Sequence, residues 1–464
     1  PVLLRDHDAA LPASAVGHLC TMLAISKPGD TYAGVEIVGP ALDPASLAEM
    51  AWALFERWAR AGYPSGDGWV LEALGMLGDD ETVRRLAPLI RAWPGESAHA
   101  RAVAGLEVLS AIGSGVALMH LHGIAQKAKF KGLKTKAQEK MDEVADALGL
   151  TADQLADRLV PDFGLEPDGS LLLDYGPRRF RVGFDEQLKP VVADEEGARR
   201  SVLPKPNAND DPSKAPAAYA LFTGLKKDVK TIATDQIRRF EQAMVTGRRW
   251  TATEHRTLFV EHPLLWHLVR RLVWAVFDDH GAPVGSFRVA EDRTLADSSD
   301  DELAPDADAT VGIAHPLHLA ETLGAWSDLF ADYEILQPFP QLGREVFLLS
   351  DAEREALSLN RFVGLKVPTG KILGLSHRGW ERGAPQDAGI QISTHKPLPE
   401  GRSVVISLDP GIIAGSALEW AEQTIAGVGL AQGRSEIYGG VMRFGALDAI
   451  TASEVLRDLE SLGS

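Results

Sequence analysis

From Asp43 onward the apolar positions fall at three- and four-residue spacing. Leu47, Met50, Ala51, Leu54, Phe55 and Trp58 share one face, which predicts an amphipathic helix. Asp43-Pro44 supplies its start, an acidic cap followed by proline at the first helical position. The pattern then recurs. Leu77-Gly78, Ile112-Gly113 and Leu148-Gly149 close three apolar runs, and a further run follows each (Val83 to Trp93, Val116 to Ala125, Ala152 to Val160). The three glycines stand 35 and 36 residues apart. Helix, glycine turn and helix at that period predict a HEAT-like α-solenoid over residues 43–162, with Gly78, Gly113 and Gly149 in the intervening turns, where glycine suits a left-handed residue. A plain helical bundle is the alternative. Residues 1–42, broken by proline and glycine, predict an irregular amino-terminal segment.

Past Phe163 the period changes. Asp168-Gly169 marks a turn, and Ser170–Asp174 and Arg179–Phe184 predict two short strands around Tyr175-Gly176-Pro177. Residues 194–216 are rich in Asp, Pro, Lys and Asn without periodicity, so 163–215 reads as a small β-hairpin and linker. Helices resume at Pro216–Met244 and Thr253–Leu272. Residues 216–464 then mix elements. Asp279-His280-Gly281 joins two strands, a helix covers Leu317–Phe330, and strands are expected at Glu345–Leu349, Lys371–Ser376, Ile390–Thr394, Ser403–Leu408 and Ile437–Arg443. The fold class expected is α+β and multi-domain, a helical solenoid followed by a mixed α/β domain.

Composition narrows the function. The 464 residues carry 65 acidic and 47 basic side chains, a formal charge of −18. Such a balance opposes a surface that is a nucleic-acid or membrane platform throughout, though not a local basic patch. One cysteine, Cys20, excludes an internal disulfide and points to a reducing, cytoplasmic compartment. Cys20 lies in an apolar run and reads as a packed thiol. No apolar run reaches the ~18 residues of a membrane span. The chain opens at Pro1 without an initiator methionine, as expected of a piece of something longer.

Several segments are specific enough to carry a resemblance. They are Ala233–Trp250 (ATDQIRRFEQAMVTGRRW), Phe259–Trp274, Phe287–Leu295 (FRVAEDRTL), Val311–His318 (VGIAHPLH), Asp332–Arg344 (DYEILQPFPQLGR), Gly374–Gly389 (GLSHRGWERGAPQDAG) and Leu408–Ile412. Together they resemble a bacterial family, domain of unknown function 4132, that includes proteins called molybdate metabolism regulators. Its longer members carry WGR domains and HEAT-like helices. No separate WGR domain is read here, since Arg378-Gly379-Trp380 belongs to the family block. The resemblance implies a protein partner, a MoxR-type AAA+ ATPase or a von Willebrand A-type protein, and no reaction.

Candidate chemistry is sparse. Lys127, Lys129, Lys131, Lys134, Lys136 and Lys140 form a basic stripe suited to phosphates or to an acidic protein surface, interleaved with Glu139, Asp142 and Glu143. A second basic set, Lys226, Lys227, Lys230, Arg238, Arg239, Arg248 and Arg249, reads as a salt-bridged helix face. His315, His318 and Glu321 lack the spacing of a zinc helix, and Pro316 explains them as a helix start, so no metal is expected. No serine elbow and no phosphate-binding loop are present. Val367-Pro368-Thr369-Gly370-Lys371 lacks the first glycine and a helix after it, and reads as a turn between strands. Catalytic residues and cofactors are therefore not assigned.

Turn-rich segments offer a candidate cleft. Arg344, His377, Arg378, Trp380 and Asp387 lie among prolines and glycines that hold side chains still, and arginine suits bidentate contacts to carboxylate or phosphate. Pro338–Arg344 and His377–Asp387 are expected side by side. The reading favours a non-catalytic scaffold, adaptor or regulator in a multi-protein assembly. The alternatives are an enzyme with its site in the carboxy-terminal loops and a nucleic-acid-associated regulator using the lysine stripe.

Overall fold

The computed structural model describes residues 1–200, 202–433 and 442–463. It divides into two compact units, Pro1–Ala233 with His262–Leu264, and Thr234–Glu261 with Leu265–Ser464.

The first unit opens with nine helices among the described residues: α1 (Ala13–Ala24), α2 (Ala33–Val38), α3 (Pro44–Arg60), α4 (Trp69–Leu77), α5 (Asp80–Ala92), α6 (His99–Ile112), α7 (Gly115–Lys127), α8 (Lys131–Ala147) and α9 (Ala152–Arg158). The segment before Asp43 is thus not irregular. Leu19 and Leu23, one turn apart, bury α1 against Val2, Val35 and Leu42, a pattern too short to stand out from proline and glycine in sequence. Asp43 caps α3 through Ser46 N–H, and Pro44 begins the helix. From α3 to α8 the helices pack on neighbours one or two places along the chain, α3 on α4, α4 on α6, α5 on α6 and α7, and α6 and α7 on α8, while α1 also reaches α4. Gly113 and Gly149 take left-handed φ values of +61° and +67°. Gly78 lies in the turn between α4 and α5 with φ −72°, and a Cβ there would lie 2.3 Å from the Leu74 carbonyl oxygen.

The hairpin and linker expected at 163–215 hold a four-stranded antiparallel sheet, β1 (Leu171–Asp174), β2 (Arg179–Phe184), β3 (Pro190–Asp194) and β4 (Arg199–Arg200), in that order. The charged stretch after it is fastened rather than loose. Arg178 grips Asp210 through two bonds of 2.8 and 2.6 Å, and buried Tyr175 donates its hydroxyl to the Pro204 carbonyl. Burial pushes the Tyr175 phenol up to about 12. The long helix α10 (Lys214–Thr246) follows, and the division between units falls inside it.

Among its described residues the second unit holds two five-stranded antiparallel sheets. One is built from β5 (Trp250–Thr251), β6 (Trp274–Phe277), β7 (Pro283–Val289), β8 (Leu295–Ala296) and β9 (Thr310–Ile313), in the order β5-β9-β6-β7-β8. The other is built from β10 (Lys366–Pro368), β11 (Glu381–Arg382), β12 (Ile390–Pro397), β13 (Arg402–Ile413) and β14 (Glu422–Gln432), in the order β10-β14-β13-β12-β11. Its helices are α11 (Ala252–His255), α12 (Trp266–Val269), α13 (Leu323–Asp332), α14 (Asp351–Glu355), α15 (Thr369–Gly374) and α16 (Ala449–Gly463).

Three expectations are corrected in this unit. The helix expected at Thr253–Leu272 is broken: α11 passes into a π-turn at Arg256–Val260, and Pro263, which has no N–H, interrupts the rest. Lys371–Ser376 is helical, not extended. Ile372 and Leu375 are buried three residues apart while Lys371 and Gly374 face water, a helical period. A helix therefore does follow Pro368, but the Thr369 hydroxyl is spent on the Trp420 carbonyl, so no phosphate loop is formed. Glu345–Leu349 forms no strand; the Phe347 N–H is taken by Ser453 Oγ at 3.0 Å. The strand expected at Ile437–Arg443 lies outside the described residues, apart from Met442 and Arg443. The helix α16 closes the second sheet, burying Val455, Leu456, Leu459 and Leu462 beside Val404, Ile406 and Val428.

Candidate functional site

The turn Gln337–Arg344 is built around one amide. Gln341 is fully buried. Its Nε2 donates to the carbonyls of Val273 (2.7 Å) and Ala314 (2.8 Å), and its Oε1 accepts from Val273 N–H (2.9 Å). One side chain thus satisfies backbone groups beside β6 and β9 and fixes where the turn ends. Gln337 reinforces it through Gln341 Oε1 and Leu342 N–H. Arg344 therefore leaves the turn in a set direction.

That direction is toward α16. Arg344 Nε and Nη2 donate to the two oxygens of Glu454 at 2.6 and 2.7 Å, and Nη1 donates to Glu241 of α10 at 2.8 Å. Burial opposes ionisation of Glu454, yet the hydrogen bonds from Arg344 and His315 and the charges of Arg344 and Arg457 hold it far below the usual carboxylate range. Burial likewise opposes the Arg344 charge, and Glu454 and Glu241 overcome it and raise the guanidinium pKa. One turn further along α16, buried Asp458 gathers three donors: Lys396 (2.7 Å), Trp380 Nε1 (2.8 Å) and Arg378 (3.2 Å).

These groups border one cleft of about 330 Å³. The end of α10 supplies Arg238 and Glu241, the turn supplies Arg344, the stretch after α15 supplies His377 and Arg378, β12 supplies Lys396, and α16 supplies Glu454, Arg457 and Asp458. Five side-chain cations outnumber three carboxylates there, in a chain whose net charge is −18. Arg378 keeps 40 % of its side-chain surface open, and His377 is exposed at the rim.

The structure thus brings Arg344, His377 and Arg378 together and leaves two expected members out. Trp380 is 3 % exposed and packs in the core beneath the cleft, reaching it only through Asp458. Asp387 sits exposed in a short turn and does not border the cleft, because the chain has already passed through β11. Glu241, Lys396, Glu454 and Asp458 were not read from sequence as site residues. The signal for the last two is Glu454 and Asp458 four apart on a helix whose other face is apolar.

The basic stripe lies at the end of α7 and along α8. Lys129, Lys131, Lys134 and Lys136 are exposed; Lys136 pairs with Glu139, and Lys140 with Glu107 (3.0 Å) and Glu143 (2.7 Å). Of the possible metal ligands, His315 Nδ1 accepts from Leu317 N–H, His318 Nδ1 accepts from His315 N–H, and Glu321 points to water. Among the described residues no group of three or more His, Cys, Asp or Glu is placed to hold a metal ion. No helix among them is long and apolar enough to cross a membrane.

Residues 197–380 match the family model of a domain of unknown function, DUF4132. That span contains Arg238, Glu241, Arg344, His377 and Arg378, while Lys396, Glu454 and Asp458 lie beyond it. Over 365 residues the chain is 40 % identical to the uncharacterized protein YehI of Escherichia coli (strain K12), an alignment covering 78 % of this chain and 30 % of YehI. The chain therefore spans less than a third of that relative's length. No solved structure matches it.

Proposed function

We propose that the chain is a non-catalytic adaptor in a multi-protein assembly, and that the cleft walled by α10 and α16 receives an acidic segment of its partner. The observation that supports this most is the pairing inside the cleft. Arg344 and Arg457 hold Glu454, and Arg378 and Lys396 hold Asp458, at 2.6–3.3 Å, which makes α16 a wall of fixed, paired charges. Such a wall suits recognition by fixed charge, and the surplus of cations suits carboxylates.

In this reading the first unit is an α-solenoid of HEAT-like repeats, supported by the contacts of α4 with α6, α5 with α7 and α6 with α8. The partner class is the one the family resemblance implies, a MoxR-type AAA+ ATPase or a von Willebrand A-type protein, within a molybdate metabolism regulator-like system.

The test is direct binding. The purified ATPase and von Willebrand A-type protein from the same organism are passed over the immobilised chain and over its Arg378→Glu variant. Retention by the wild type and loss in the variant support the proposal. Equal binding to both, or none to either, overturns it.

A further inference from the structure

A second cavity in the same unit is not used by this proposal. It measures about 360 Å³ and is bordered by Thr246, Gly247, Arg249, Gly281, His318 and the first turn of α16. Arg249, expected on a salt-bridged helix face, lies three residues past the end of α10 instead. No carboxylate among the described residues pairs with it. Its Nη1 reaches only the Arg248 carbonyl at 3.2 Å, and its guanidinium lies 3.5 Å over the Phe277 ring.

This position is built into the fold. A Cβ on Gly312 of β9 would come within 2.8 Å of Arg249 Nη1 and 2.9 Å of its Cδ, so only glycine leaves the slot open. Phe277 is 4 % exposed and meets His318 edge-on at 4.9 Å on its other contact. One buried ring thus orients both an arginine and a histidine.

The tautomer of His318 follows from its contacts. Nδ1 accepts from His315 N–H at 3.2 Å, so the neutral ring carries its proton on Nε2. That N–H has no partner among the described residues. Burial first, then the Arg249 and His315 charges, lower the His318 pKa to about 4 against the opposing pull of Asp448. Burial alone lowers Arg249 to about 10. A cation taken from water without a carboxylate is costly, and such a cost is offset by a bound anion.

We propose that this cavity is a binding site for a phosphate-type oxyanion, held by the Arg249 fork and the His318 Nε2–H. A planar carboxylate is satisfied by the fork alone. Donors arriving separately, from the end of α10 and from the turn after β9, suit a tetrahedral group with oxygens in more than one plane. The cavity exceeds one phosphate, so the group is either free or carried as a monoester on a small molecule. Asp448 stands at the mouth, where it caps α16 through Thr451 N–H at 2.9 Å, and it sets a preference for ligands whose other end is not anionic.

Calorimetric titration of the chain with inorganic phosphate, glycerol phosphate and acetate tests this, with the His318 ring nitrogens followed by NMR. Saturable binding of either phosphate, tighter than acetate and with the Nε2 resonance displaced, is expected; the tighter of the two identifies the free or esterified source. Arg249→Gln should weaken binding about tenfold or more. Arg249 also packs on Phe277, so a second variant guards against misfolding. Ala449→Glu places a carboxylate at the mouth, on an exposed first-turn position where it suits the helix dipole, and should weaken phosphate to a similar degree with unfolding unchanged. No saturable phosphate binding, acetate binding as tight as phosphate, or full affinity in Ala449→Glu would overturn the proposal.

Discussion

Arg344 and Glu454 meet as two forks, with Nε to Oε1 at 2.6 Å and Nη2 to Oε2 at 2.7 Å, across 110 residues of sequence. Both side chains are under a tenth exposed. Deleting one partner strands the other's charge in the interior, so Arg344→Ala is expected to cost about 3–5 kcal/mol of stability. Urea unfolding followed by tryptophan fluorescence measures it. Glu454 has a folded pKa below its ordinary 4.5, so its contribution is complete above that value and declines as the pH falls beneath it. Glu454→Gln should flatten that acid limb.

Arg378 and Trp380 share Asp458 yet should respond differently. Arg378 is 40 % exposed and its bond is 3.2 Å long, so Arg378→Ala is expected to cost less than about 1 kcal/mol. Trp380 fills the core, and Trp380→Ala should cost about 3–5 kcal/mol. Thermal melts of the two variants side by side separate a recognition group from a packing group. Equal losses would place Arg378 among the structural residues.

His255 gives a pH prediction. It is wholly buried, its ring centre 4.2 Å from that of Trp274, and its Nε2 has no hydrogen-bond partner among the described residues. Burial, helped by the Arg256 charge, lowers its pKa from 6.5 to about 3. The unfolded chain then takes up a proton that the folded chain refuses. Stability from the neutral ring is complete above pH 6.5 and erodes toward pH 3, by at most about 1.4 kcal/mol per pH unit. Denaturation midpoints at pH 7.5 and pH 5 should show the wild type losing stability relative to His255→Phe on acidification.

The lysine stripe tests the nucleic-acid alternative. With Lys136 and Lys140 committed to acidic neighbours, Lys129, Lys131 and Lys134 are the side chains to reverse. The triple change to glutamate on an exposed face should move stability by less than about 0.5 kcal/mol. If the stripe holds nucleic acid, wild-type affinity falls steeply with salt and the variant loses it. Salt-independent or absent retention leaves a solvated face or protein docking.

What the sequence makes legible is local. Asp43-Pro44 starts α3 as expected, because a cap and its helix lie within four residues. Prolines and glycines likewise mark the turns from which Arg344 and Arg378 project. Which carboxylate meets each arginine is a long-range matter, and periodicity carries no record of it. Trp380 shows the reverse error: an indole in a glycine-rich segment looks available, while it packs in the core and satisfies its N–H on Asp458. Arg249 was hidden because Gly312, which makes its slot, is 63 positions away.

The reach of Arg344 has a consequence for how the cleft comes into being. Its walls are drawn from stretches near 240, 344, 378, 396 and 454, so the cleft exists only where all of them are packed together. A ligand of this cleft meets side chains drawn from distant parts of the sequence, so its binding reports that all of them are in place.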